Sequence, residues 1–112
     1  MVASVPPDLR EPALAEIVRC LAEGLHPERI YLFGSMARGE EGENSDYDIM
    51  VVVSDPAEPL RDLERRAYGL LWDVPVPVDV LVWARDDFDR RLTVVASLPA
   101  TILREGRLLY AA

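Results

Sequence analysis

The residues best suited to chemistry lie in one stretch, "FGSMARGEEGENSDYDIMVVV", from Phe33 to Val53, and in one later acid, Asp79. Asp46 and Asp48 stand one residue apart at the start of an apolar, β-branched run. Side chains at i and i+2 of a strand point to one face, with Cα atoms about 6.6 Å apart. The two carboxylates therefore share a face, and Tyr47 between them points into the core. At an effective dielectric of about 20, two such charges repel by about 2.5 kcal/mol. The arrangement requires open water, a protonated acid or a cation. Magnesium fits the last option, because it takes hard oxygen ligands and completes its shell with substrate phosphates. Two metals about 3.5–4 Å apart can be bridged by aspartates of this kind.

Gly34 and Ser35 suggest the other half of such a site. Glycine removes the side chain where a bulky anion must come close. Turn amides that enter a helix attract phosphate, and the Ser35 hydroxyl adds a donor. Arg38, one turn on, has two readings: a charged contact to a triphosphate, or an ion pair with Glu40 or Glu41. A phosphate cradle facing a carboxylate cluster suggests phosphoryl or nucleotidyl transfer. Asp46 alone would read as a turn residue after Asn44 and Ser45. A calcium loop is disfavoured, because "GEEGENSDYD" lacks the glycine and terminal glutamate of an EF-hand at their required places.

The elements that must position these residues follow from periodicity. Ala13, Leu14, Ile17, Val18, Leu21 and Leu25 form a helical stripe, with Pro12 in the first turn and Gly24 read as the stop. Arg29–Phe33 reads as a strand, "GSMARGE" as one helical turn and "GEEGENS" as a loop. Asp46–Val53 is a second strand. "SDPAEP" breaks it, and Leu60–Trp72 is a second amphipathic helix. Val78–Trp83 is a third strand, whose start the prolines spoil. Asp86 or Asp87 is expected to cap a third helix. Pro99 is expected to open a further helical segment ending near Gly106, and "RLLY" to form an edge strand or docked tail. The short connection makes strands one and two antiparallel, while a whole helix allows strands two and three to be parallel. The fold class is α/β (α+β), a small mixed sheet of three to four strands packed with helices. Parallel pairing brings Asp79 to the same sheet edge as Asp46, Asp48 and the Gly34–Ser35 turn.

Totals narrow the alternatives. The chain has 112 residues, one ordinary domain, with residues 1–10 read as an N-terminal tail and 11–112 as the domain. Its net charge is −8, from 12 basic and 20 acidic residues, a poor balance for direct nucleic-acid binding. All the basic residues are arginine, which excludes a Walker-type or Schiff-base lysine. Cys20 and His26 are solitary, so neither a disulfide nor a Cys/His zinc site is available within the chain. They read as a packing residue and a surface imidazole. Trp72 and Trp83 read as core or partner surface, and Arg65, Arg66, Arg90 and Arg91 as solvated helix faces. No signal peptide or membrane span is expected, and the reading is cytoplasmic.

"GS", ten residues and "DYD", followed by "VDVLVW", resemble the motif of the DNA polymerase β-type nucleotidyltransferase superfamily. "GSMARGE" and the ending "LREGRLLY" resemble its minimal nucleotidyltransferases (MNT), over about residues 11–110. The resemblance implies a nucleotidyltransferase fold in which Asp46 and Asp48 bind two Mg2+ ions. Asp79 would hold the catalytic metal and help deprotonate the acceptor. Gly34 and Ser35 would hold the β- and γ-phosphates of ATP. It further implies a MNT antitoxin of a toxin–antitoxin system, transferring AMP to a tyrosine of a HEPN ribonuclease toxin. The HEPN-domain toxin would then be its partner, in a hetero-oligomer. The acidic composition agrees with a basic, RNA-cutting partner. Two alternatives stay open: an antitoxin that inhibits by contact alone, and a small-molecule, aminoglycoside-type nucleotidyltransferase. The second is weakened because a domain of this length leaves little room for a separate substrate module.

Overall fold

A computed structural model of the chain describes residues 12–39 and 46–112. The expected tail and most of the "GEEGENS" loop, with Glu40 and Glu41, lie outside the described residues. Among the described residues the order is α1 (Pro12–Leu25), β1 (Arg29–Phe33), β2 (Tyr47–Val53), α2 (Leu60–Leu70), β3 (Val78–Ala84), α3 (Arg85–Arg90), a 3₁₀ turn (Arg91–Thr93), α4 (Leu98–Glu105) and β4 (Arg107–Ala111). The sheet order is β3-β2-β1-β4. β1 pairs antiparallel with β2 and with β4, while β2 and β3 are parallel. This is the mixed α+β sheet the connection lengths imply. "RLLY" is an edge strand.

Alternation along β2 separates two cores. Tyr47, Ile49, Val51 and Val53 join Ile30, Leu32, Val80, Val82 and Leu109 beneath Leu14, Ile17, Val18 and Leu21 of α1 and Leu63 and Ala67 of α2. Met50 and Val52 face the other way, with Tyr31, Phe88 and Ile102, flanked by Phe33, Trp83, Leu92 and Leu98. Phe88 is fully buried. It stacks on Tyr31 at 5.5 Å between ring centroids and meets Trp83 edge-on at 6.5 Å. Such pairs add to area burial. Trp83 is therefore a half-buried flank of this core, while Trp72 is 85% exposed.

Two local readings change. The first helix does not stop at Gly24 but runs through it to Leu25. A Cβ on Gly24 would lie 2.3 Å from Leu70 Cδ1, so the missing side chain gives space to α2. His26 takes the left-handed turn instead, with φ of 49°, and its amide donates to the Ala22 carbonyl at 3.2 Å. Asp86 and Asp87 do not cap α3. They lie inside its first turn, and Ala84 holds the cap position without a side-chain bond. Acids there still complement the helix dipole. For α4, Ser97 Oγ accepts from the Ala100 amide at 3.2 Å, and Gly106 follows the last turn.

The outer edge of β3 is tied to α2. The Val80 amide donates to the Tyr68 hydroxyl at 3.0 Å, and the Val82 amide to Glu64 Oε2 at 3.2 Å. No described helix is long and apolar enough to cross a membrane.

Candidate active site

The register brings the two predicted strands together at their first residues. Asp48 lies directly opposite Asp79 on β3 and opposite Phe33 on β1. All three side chains point to the face shared with Met50 and Val52, away from α1 and α2. Asp46 immediately precedes β2 and is exposed. Tyr47 is buried on the reverse face.

β1 ends against this pair, and Gly34 begins the turn. Its φ is 76°, a left-handed conformation that favours glycine. A Cβ built there would lie 2.3 Å from Asp48 Oδ2. The Asp48 carboxylate therefore lies over the bare Gly34 backbone. The Arg38 amide donates back to the Gly34 carbonyl at 3.2 Å, which makes the expected single helical turn. Ser35 is its first residue and is half-buried.

Burial pushes the Asp48 carboxyl above its ordinary pKa. The neighbouring charges of Asp79 and then Asp46 push it the same way, and Arg38 partly offsets them. Arg38 also makes an ion pair with Glu105 of α4, at 3.7 Å. Nothing in the sequence marked Glu105 for that role, because the contact depends on α4 packing back beside β1. Phe33 as the flank of Asp48 was legible only once the antiparallel register was known.

Thus Asp46, Asp48, Asp79, Gly34 and Arg38 are neighbours, although Gly34 and Asp79 lie 45 positions apart in the chain; pairing of β2 with both β1 and β3 brings them together. Among the described residues, no three His, Cys, Asp or Glu side chains form a group that could hold a metal ion as they stand. The aspartates feel one another's charge without closing into a chelate, as mutually repelling carboxylates do. Their donor chemistry suits a hard divalent cation: oxygen ligands, excess negative charge and one half-buried member.

The sequence matches the family model described as "Nucleotidyltransferase domain" over residues 13–109. The chain belongs to this family. It is a nucleotidyltransferase, and its likeness to the minimal nucleotidyltransferases is supported by relatives of similar size. One, from Methanocaldococcus jannaschii and provisionally named a protein adenylyltransferase, is 32% identical over 89% of this chain and 97% of its own length. Another, from Haemophilus influenzae and provisionally named protein adenylyltransferase MntA, is 33% identical over 75% of this chain and 74% of its own. A solved structure from Sulfolobus solfataricus, provisionally named a nucleotidyltransferase, has a TM-score of 0.52 and 31% identity over 70% of this chain and 69% of its own. The fold also matches a crystal structure of a toxin–antitoxin with AMP-PNP, with a TM-score of 0.56 and 24% identity over 88% of this chain and 73% of that one.

Proposed function

We propose that this nucleotidyltransferase transfers AMP from ATP to a tyrosine of a cognate HEPN ribonuclease toxin and so acts as its antitoxin. The observation that carries the site is Asp48 in register with Asp79, with its carboxylate laid over the Gly34 turn. The relatives named as protein adenylyltransferases support AMP as the group and protein as the acceptor. The toxin–antitoxin with the same fold supports the pairing with a toxin.

Asp46, Asp48 and Asp79 would hold Mg2+, which when bound neutralises the carboxylates and the phosphate charge of ATP. The bare Gly34 backbone gives the Asp48 carboxylate its place beside the turn, and the turn amides, Ser35 and Arg38 would supply donors to the β- and γ-phosphates. Asp79 orients the tyrosine hydroxyl and accepts its proton. The phenolic oxygen then bonds to the α-phosphorus, the bond to the bridging oxygen breaks, and pyrophosphate leaves. Adenylate adds bulk and negative charge to the toxin at its RNA-cleaving site.

The test mixes purified protein, ATP, Mg2+ and the product of the adjacent reading frame, followed by intact-mass and peptide mass spectrometry. A toxin tyrosine carrying adenylate, absent with Asp46→Asn/Asp48→Asn, is the expected result. No adduct, with full inhibition retained by the double variant, would make the protein a contact inhibitor.

A further inference from the structure

A second surface lies around the corner from the acids. Parallel β2 and β3 both begin at the catalytic end of the sheet, and the segment entering β3 is held there: the Tyr47 amide donates to the Pro77 carbonyl at 3.0 Å. That segment and the start of α1 border an open groove of about 780 Å³. Pro12, Ala13, Cys20, Leu70, Val74 and Pro75 supply most of its lining. Between lining residues Leu70 and Asp73 stands Trp72, 85% exposed, in the turn that closes α2. An indole offers one of the largest apolar payloads of any side chain, and solvent-facing tryptophans beside a groove are the type of residue that anchors protein interfaces.

Charge defines what would cover it. Glu16, Arg19 and Asp73 also line the groove. The Arg19 guanidinium is engaged by Glu16 and by Glu23, the latter at 3.1 Å. The local balance is therefore acidic, next to a catalytic end that already carries Asp46, Asp48 and Asp79, in a chain of net charge −8. A second acidic copy is a poor fit for this surface. A protein presenting apolar side chains ringed by basic ones is a good fit.

We infer that Trp72 and the groove between the start of α1 and the α2–β3 connection form the docking surface for a basic protein acceptor, outside the nucleotide site. The surface engages the body of the acceptor while one hydroxyl reaches Asp79 around the sheet edge. Naming that acceptor as the HEPN toxin rests on the function proposed above.

Because Trp72 is exposed, its replacement tests docking without removing core packing. Wild type, Trp72→Ala and Trp72→Glu are compared by calorimetric Kd for the toxin, by KM and kcat for adenylate transfer, by Mg-ATP affinity and by Tm. Trp72→Glu is expected to raise both Kd and KM for the toxin at least about tenfold, as loss of an interface anchor does. Its kcat, Mg-ATP affinity and Tm should stay at wild-type values. Asp73→Arg should weaken binding less, with the difference vanishing at high salt. A toxin Kd unchanged by Trp72→Glu overturns the inference, including the outcome in which the variant only lowers the sedimenting mass because a second copy sat there. If wild type transfers no adenylate but Trp72→Glu still weakens the complex, the enzymatic reading fails and the docking surface stands.

Discussion

The two faces of one strand, β2, carry opposite demands. Tyr47, Ile49, Val51 and Val53 lie in a closed layer beneath α1 and α2, and Ile49 and Val51 are completely buried. On the other face, Met50 and Val52 are equally buried under the α3–α4 layer, but that cover stops before Asp48. Asp79 and Leu81 of β3 remain open on the same side. The packed face holds strand register. The part-covered face uses that register to line up acids which, by themselves, repel. A single-residue slip of β2 would exchange the faces and bury the aspartates.

The comparison can be broken from either side. Asp48→Asn on the open face is expected to cut adenylate transfer on the order of a thousandfold, as loss of a charged group at a phosphoryl-transfer centre does, with the fold intact by circular dichroism. Ile49→Ala on the closed face should do the reverse. It should destabilise the fold by about 3–4 kcal/mol in urea titration, leaving the transfer rate per folded molecule near wild type. Gly34→Ala tests the join between the faces. A left-handed alanine costs about 1–2 kcal/mol. Its methyl would also displace the Asp48 carboxylate, so KM for ATP should rise more than the stability loss explains.

Protonation gives a subtler contrast. The Asp48 pKa is raised in the folded chain, so between the ordinary aspartate value and the raised one the native state binds more protons than the unfolded state. Without divalent cation, the contribution of Asp48 to stability therefore falls as pH rises through that window and stays low above it. Asp48→Asn should remove this fall, giving a higher Tm than wild type at neutral pH in EDTA. Added Mg2+ should raise the Tm of wild type more than that of the variant. The smallest expected effect is at the rim: Tyr68→Phe deletes one bond to the Val80 amide and should cost about 1 kcal/mol in urea titration.

Much of this was legible in the chain because periodicity and turn residues agreed. The β-branched run after Asp46 specified a strand, and short against long connections decided its antiparallel and parallel neighbours. Those two facts suffice to bring Asp79 to the same sheet edge as Asp48; the register that sets them directly opposite is seen only in the structure. Other features depend on which surfaces meet and leave no local trace. Gly24 looked like a helix stop because glycine often is one, but it serves the approach of Leu70, a contact between residues 46 positions apart. Trp72 and Trp83 could not be separated by type. Packing beside Phe88 half-buries one of them against the core, and the turn after α2 leaves the other in water. Arg38 had local acids within reach in sequence, yet it meets Glu105 because α4 returns to the end of β1.

The tie between α2 and β3 has a consequence beyond catalysis. A sheet margin with unsatisfied amides is a template on which another extended chain can build, and natural margins are commonly blunted by charge or cover. Here the phenol of Tyr68 and the carboxylate of Glu64 occupy the amides of Val80 and Val82. The strand that presents Asp79 is thereby guarded against edge-to-edge aggregation, although the end that carries Asp79 is itself exposed.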